Sequence, residues 1–304
     1  SLLMQLVVWA GVIGVEVLCA GKTSEYDFVY DPATKQVTSL DRAADGRAVD
    51  ALWEFGGRDV GAVVRARGEA LAAIPQHTVP DLVEMGLVAN ATGLAPDVPA
   101  FHAPIARTPE IADVLVPVEM GGILHGSGRV DVVNSLRRPD EASFAGGVFV
   151  VVRCEDRRSW EVLRAKGHVV NRAGDAAMIY RPSHLLGVES ATTVLSAVLH
   201  GRSSGPDDVQ PRFDVVGRTN KPLQAGTVLE ATGHHHQIDG VDGLLVPARA
   251  ASGANPIPFY LMAGNRLLRD VPAGTLIAAE MVEAPEDSLL WRLRRELEKT
   301  FALR

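Results

Sequence analysis

The run Val148–Val152, inside GVFVVVRC at 147–154, is apolar at every position. A strand with one wet face alternates polar and apolar residues, so an unbroken apolar strand has to be buried on both sides. That places it at the centre of a sheet carrying helices. Neighbouring segments agree. Strand patterns stand at Arg129–Leu136 and Ala176–Arg181, and helical patterns at Asp59–Ile74, Thr78–Leu94, Ser183–His200 and near Ser159–Lys166. In the second of these helices Thr78 is placed to cap, Pro80 lies in the first turn and Gly93 at the end. The expected class is α+β, with a mixed sheet covered by helices.

The opening stretch Ser1–Gly21 is almost wholly apolar and about as long as the roughly 20 residues a membrane span needs. Glu16 interrupts it, Gly11 and Gly14 divide it, and it has no basic n-region. It reads instead as a buried helix, Leu2–Ile13, ended at Gly14 and followed by a buried strand, Val15–Ala20. A start in mid-helix, without Met, is read as the loss of something N-terminal. Lys22–Thr38 (KTSEYDFVYDPATKQVT) reads as a polar loop with turn chemistry at Asp31-Pro32, and Ala95–Gly128 as a long irregular connection rich in Pro and Gly. Long ordered loops of this kind are often functional.

Gly201–Pro211 (GRSSGPDDVQP) marks a linker. Beyond it the texture changes to short strands with Gly and Pro punctuation, at Phe213–Val216, Thr227–Leu229, Gly243–Pro247, Arg266–Arg269 and Thr275–Ala278. An amphipathic helix, Ser288–Phe301, closes the chain. The expected division is 1–205, a small all-β domain at 206–284, and the helix at 285–304.

Net charge and cysteine content narrow the function classes. The 304 residues carry a formal charge of −7 and a pI near 5.7, without a Lys/Arg run longer than a pair, which argues against nucleic acid as partner. The two cysteines, Cys19 and Cys154, lie far apart in apolar surroundings and read as reduced thiols. A cytoplasmic protein, with neither a membrane nor a nucleic-acid partner, is expected.

GKTSEYDFVYDP (21–32), VPDLVEMGLVANATGL (79–94) and VDVVNSLRRPDEASFAGGVFVVVRC (130–154), with KGHV at 166–169 and YRPSHLLGVE at 180–189, together resemble homoserine-dehydrogenase-like oxidoreductases. One branch of these is similar to the deoxyxylulose-phosphate reductoisomerase-like enzymes of isoprenoid precursor synthesis. PLQAGTVLEATG (222–233) and AGNRLLRDVPAGTLIAAEMV (263–282) resemble the two halves of a SAF domain, a small β-clip module. The resemblance implies an N-terminal Rossmann domain, a central catalytic and dimerisation domain, and a C-terminal SAF domain. It further implies NADP or NAD as cofactor, a small hydroxy or carbonyl substrate, phosphorylated or not, and a homodimer or larger homo-oligomer; it leaves a divalent metal open. No G-x-G-x-x-G follows a strand and opens a helix, so the dinucleotide is expected to be held by a domain absent from this sequence.

On this resemblance Lys22, after the strand end at Gly21, becomes the first candidate for polarising a carbonyl or relaying a proton, against the plainer reading of a solvated loop lysine. Ser24, Glu25, Tyr26 and Asp27 share its loop and are candidates for holding substrate hydroxyls, with Tyr26 and Phe28 equally readable as packing anchors. Glu84 lies among Leu82, Met85, Leu87 and Val88, where it is expected to face the core, and a buried Glu generally has a partner or a task. Asn134, Arg137, Arg138, Asp140, Glu141 and Ser143 surround one turn; paired arginines beside carboxylates suit an anionic substrate or a structural salt-bridge network. Within these sets Lys22, Glu84 and Asp140 are the catalytic candidates, and Ser24, Glu25, Tyr26, Asn134, Arg137 and Glu141 the substrate-binding ones. Asn90 and Thr92 read as capping or turn residues.

No metal site is assigned. His234, His235 and His236 are consecutive and so point in different directions, with only Asp239 and Asp242 nearby, while His125 and His184 stand alone. Two other readings stay open: a non-enzymatic protein whose SAF module recognises a sugar or an assembly partner, and a lyase or dehydratase of sugar acids.

Overall fold

A computed structural model describes residues 2–185, 187–203, 205–206, 208–285 and 287–304. The chain divides into two units. One comprises the chain to Gln76 with Leu94–Asp97 and His102–Asp208; the other comprises His77–Gly93, Val98–Phe101 and Val209–Arg304. The helix Thr78–Leu94 of the sequence reading thus goes with the second unit, as does the C-terminal helix.

The first unit opens with α1 (Leu2–Val12), β1 (Glu16–Thr23), β2 (Phe28–Asp31), β3 (Gln36–Ser39), β4 (Arg42–Asp45), α2 (Arg47–Ala51) and α3 (Val60–Ala70). After α4 (Val79–Thr92), which belongs to the second unit, come β5 (Ala95–Pro96), β6 (Ile105–Ala106), α5 (Ile111–Val114), β7 (Arg129–Arg137), β8 (Val148–Arg153), α6 (Arg157–Ala165), β9 (Ala176–Arg181) and α7 (Ser190–His200). The strands form one mixed sheet ordered β4-β3-β2-β7-β1-β8-β9, with β5 and β6 also paired to β7. β7 is parallel to β1, β2, β5 and β6, while β8 runs antiparallel to β1 and β9. The apolar run 148–152 therefore lies between two strands, as its composition demands.

Lys22–Thr38 is more ordered than a loop. Phe28, Tyr30 and Val37 are buried, and β2 and β3 pair antiparallel around the Asp31-Pro32 turn. The alternation is only four residues long on each side, too short to stand out among polar neighbours. The first helix ends one residue before Ile13, and the following strand extends three residues past Ala20. The helix is also less buried than its composition suggests: Leu3 and Ala10 are its buried residues, and Val8, Trp9 and Val12 are exposed. α7 begins at Ser190 rather than Ser183, and none of its residues is buried.

One face of the sheet, with Val133, Phe149 and Val151, packs against α3 (Val60, Val63, Val64) and α5 (Ile111, Ala112, Val114). Gly21 lets the sheet close there, because a Cβ on it would lie 2.3 Å from Phe149 Cζ and 2.7 Å from the Asp131 carbonyl oxygen. A second cluster joins Phe28, Tyr30, Trp53, Leu71, Ile74 and Leu136. Beneath it Arg67 is fully buried: its guanidinium donates to the carbonyls of Leu52, Trp53 and Ile105 and forks onto Glu110 at 2.6 and 3.0 Å.

In the second unit, β10 (Phe213–Thr219), β11 (Ala231–Thr232), β12 (Gln237–Ile238) and β13 (Val241–Pro247) form an antiparallel sheet ordered β10-β13-β12-β11. Thr78 caps α4 by accepting the Asp81 amide N–H, and Asn90 clamps the helix to β10 by accepting the N–H of Phe213 at 2.8 Å and donating to its carbonyl at 3.0 Å. Thr92 donates back to Val88. Glu84 does not face the core. Leu82, Met85 and Ala89 occupy the buried side, at the spacing of one helix face, and Glu84 is exposed.

Thr227–Leu229, Arg266–Arg269 and Thr275–Ala278 make single bridges rather than strands, such as Val228 with Arg266 and Pro256 with Ala278. Pro256 and Pro258, each on one side of such a bridge, have no amide N–H to give to a ladder. After α8 (Phe259–Met262), α9 (Leu289–Phe301) is tied down by Trp291 Nε1, which donates to the Leu261 carbonyl, and by Arg294, which forks onto Asp214 at 2.7 Å.

Candidate active site

A break in the ladder along β7 builds the site. β5 pairs with Arg129 and Val130, and β6 pairs with Asn134 and Ser135, so residues 97–104 span a gap that only three residues of β7 face. Backbone donors in such a gap need other partners if they are buried. The fully buried Asp131 carboxylate supplies them, accepting the N–H groups of His102 (3.2 Å), Ala103 (3.1 Å) and Val132 (2.8 Å). Burial pushes the Asp131 carboxyl up to about 6, against the pull of His102 and the three N–H donors. Both residues flanking His102 lie in the left-handed region, Phe101 at φ 62° and Ala103 at φ 43°, which costs on the order of 1–3 kcal/mol each for side chains other than glycine.

This gap aims His102 at Asp97. The Asp97 carboxylate has no exposed surface, and its Oδ2 lies 2.8 Å from both His102 Nε2 and His125 Nδ1. The His125 backbone N–H also donates to it at 3.1 Å, and Arg129 Nε sits 3.2 Å from Oδ1 as a charge contact without hydrogen-bond alignment. The two imidazole rings stack 6.3 Å apart at 26°. Burial would raise the Asp97 carboxyl, but the hydrogen bonds from His102 and His125 outweigh it and hold the group below its ordinary value. A carboxylate oxygen only accepts, so each facing ring nitrogen donates to it. His102 Nδ1 and His125 Nε2 are the nitrogens turned away from the carboxylate.

Both histidines line a hollow of about 600 Å³ together with Asp59, Arg65, Glu69 and Gln76. His102 is mostly covered and His125 is 70% exposed, so one ring is fixed and the other can move.

The residues singled out in the sequence are placed as follows. Lys22 is nearly buried in β1, in register with Val132 and Val148, whereas Asp131 is in register with Gly21 and Phe149. Adjacent strand positions point to opposite faces, so Lys22 leaves the sheet on the side away from Asp131. Ser24 donates to the Tyr26 carbonyl, and Glu25 is exposed. Arg137 Nε binds Asp27 Oδ2 at 2.5 Å and its Nη1 donates to the carbonyls of Arg138 and Glu141, while Glu141 accepts the Arg138 N–H. Asn134 is buried and spends its amide on the carbonyls of Gln76 and Ala103. Arg107 and Arg138 each lie over the Trp53 ring, at 4.7 and 4.8 Å. The structure thus joins Asp27, Arg137 and Glu141 in one network. Asp140 stays exposed in the turn, and Glu84 belongs to the other unit. Of the histidine triplet, His236 bonds the Tyr260 hydroxyl at 2.6 Å, and His234 and His235 meet edge to face.

The sequence reading passed over Asp97 and His102 and took His125 as a singleton. Their separations of five and 23 residues match no motif, and only the two ends of the β7 gap bring them together. The glycine-rich stretch 121–128 forms a packed turn: a Cβ on Gly122 would lie 2.1 Å from the Val116 carbonyl oxygen.

Residues 77–190, which contain Asp97, His102, His125 and Asp131, match the model of a family described as Oxidoreductase DRL, catalytic domain. No curated protein matches the chain. The family match supports an oxidoreductase catalytic-domain family and, with it, an enzyme.

Proposed function

We propose that this chain handles the substrate of an oxidoreductase that interconverts a hydroxyl and a carbonyl, with the reacting oxygen placed in the hollow against His102 and His125. One observation carries the reading: a single buried carboxylate oxygen holds two imidazoles at the edge of a 600 Å³ hollow. Interconverting C–OH and C=O requires a group at the oxygen that takes up its proton or its developing charge, and imidazoles oriented by a carboxylate suit that task. Arg65 offers the hollow one cationic group for a substrate oxygen, beside the carboxylates of Asp59 and Glu69. NADPH or NADH, when bound, supplies hydride; a nucleotide-binding domain other than these residues would hold it. The homoserine-dehydrogenase-like character, and the SAF character of the second unit, belong to this same reading and rest on the motifs at 21–32, 130–154, 222–233 and 263–282.

A second reading keeps the chemistry at the Lys22 loop. It is favoured by Asp27 Oδ1, which is buried without a hydrogen-bond partner among the described residues and suits a substrate hydroxyl.

Titrating the full chain with small hydroxy and keto compounds, with and without a phosphate, separates the two. The expected result is saturable movement of the His102 and His125 imidazole resonances. Ligands that bind yet move only resonances of the loop 22–27 would overturn the first reading in favour of the second.

A further inference from the structure

We propose that Asp97, His102 and His125 form a binding site for one divalent first-row transition-metal cation. Their ligand atoms, one carboxylate oxygen and two imidazole nitrogens, all lie within 4.8 Å of one another. This mixed oxygen and nitrogen donor set suits zinc and its neighbours rather than calcium or magnesium, which prefer oxygen alone.

In the present arrangement two ring N–H groups point at a single carboxylate oxygen, His102 Nε2 and His125 Nδ1 each 2.8 Å from Asp97 Oδ2. A cation among these three atoms takes the place of both hydrogens. Each imidazole then carries its hydrogen on the other ring nitrogen and turns a lone pair to the cation. Metal bonds of about 2.0–2.2 Å require the donors to stand slightly further apart than 2.8 Å. The exposed His125 ring can make that adjustment, whereas His102 is held through its backbone by Asp131.

The surroundings orient the carboxylate as supporting groups do in metal sites. The Arg129 guanidinium bears on Oδ1, and the His125 backbone N–H is shared between Oδ1 and Oδ2 at 3.1 Å each, so the carboxylate is held with Oδ2 directed at the two rings. Three protein ligands leave coordination positions open, and the hollow beside the histidines gives a substrate oxygen access to them. A cation there would polarise that oxygen as a Lewis acid. This role rests on the function proposed above; binding of the cation does not.

The test is calorimetric titration of the full chain with zinc chloride after chelator treatment, in a background where His234, His235 and His236 are alanine to remove surface affinity. One equivalent is expected to bind, weakened at least about tenfold, or roughly 1.4 kcal/mol, by His125→Ala and by Asp97→Asn. Cobalt(II) at the same site should give visible absorption that His125→Ala abolishes. His125 is exposed, so that variant stays interpretable if Asp97→Asn misfolds. No zinc bound in this background, or one equivalent indifferent to His125→Ala, would overturn the site. Zinc binding without any response of the imidazoles to the substrate panel would keep the site and remove the function reading.

Discussion

Asp131 accepts the backbone N–H of His102 at 3.2 Å, and through that bond a buried carboxylate in the central strand fixes the ring that Asp97 binds. The candidate site is therefore attached to the sheet core, although its two histidines sit on connections.

Arg67 and Glu110 test the core beneath the site. Arg67 has no exposed surface and five hydrogen bonds, two of them to Glu110. Arg67→Met leaves the Glu110 carboxylate buried and unpaired, and the expected loss is about 3–5 kcal/mol of unfolding free energy in urea. A loss below about 1 kcal/mol would mean that water reaches Glu110.

Asp50 bonds both Lys35 and Tyr30. The hydrogen bond from Lys35, then that from Tyr30, holds the Asp50 carboxyl below its ordinary value. The Lys35 ammonium is raised chiefly by its bond to Asp50, and the Tyr30 hydroxyl is raised by desolvation and then by Asp50. A lowered carboxyl stabilises the fold above its unfolded value, near pH 3.9, and loses that contribution as pH falls through the folded one. Raised Lys and Tyr groups stabilise below their unfolded values, near pH 10, and lose it as pH rises through the folded ones. The Tm gap between wild type and Asp50→Asn should thus be widest near neutrality and narrow at both extremes. A gap constant from pH 3 to pH 11 would contradict the trio.

The thiols differ in reactivity. Cys19 is buried in β1, and desolvation, aided by Asp131 and Asp97, pushes its thiol well above the ordinary value, whereas Cys154 is only partly buried. Ellman's reagent at pH 8 should titrate one thiol per native chain and two after unfolding. Two fast thiols in the native protein would show that β1 opens readily.

Much of the fold was legible because it rests on local pattern. The apolar run at 148–152, the Thr78 cap and the Ser288–Phe301 amphipathic face each lead to the element observed. Where tertiary pairing decides, pattern fails. The β2–β3 hairpin has too few inward residues to be seen, and the expected strands at Thr227–Leu229, Arg266–Arg269 and Thr275–Ala278 make only isolated bridges. The Arg137 turn was visible because its charges are adjacent in sequence, and in the structure Arg137 pairs with Asp27 outside the turn while Glu141 accepts the Arg138 N–H within it. The Asp97–His102–His125 group was invisible because it depends on where β5 and β6 leave β7, which no spacing encodes.

On the proposed function, turnover of His102→Gln beside Lys22→Met, assayed with NADPH and with any separate nucleotide-binding domain that it requires, bears most directly on where the chemistry lies. The account predicts that His102→Gln lowers kcat by about 10²–10⁴-fold at unchanged Tm, with Lys22→Met within about tenfold of wild type. Full activity in His102→Gln, with a collapse in Lys22→Met, would contradict it and return the site to the other face of the sheet.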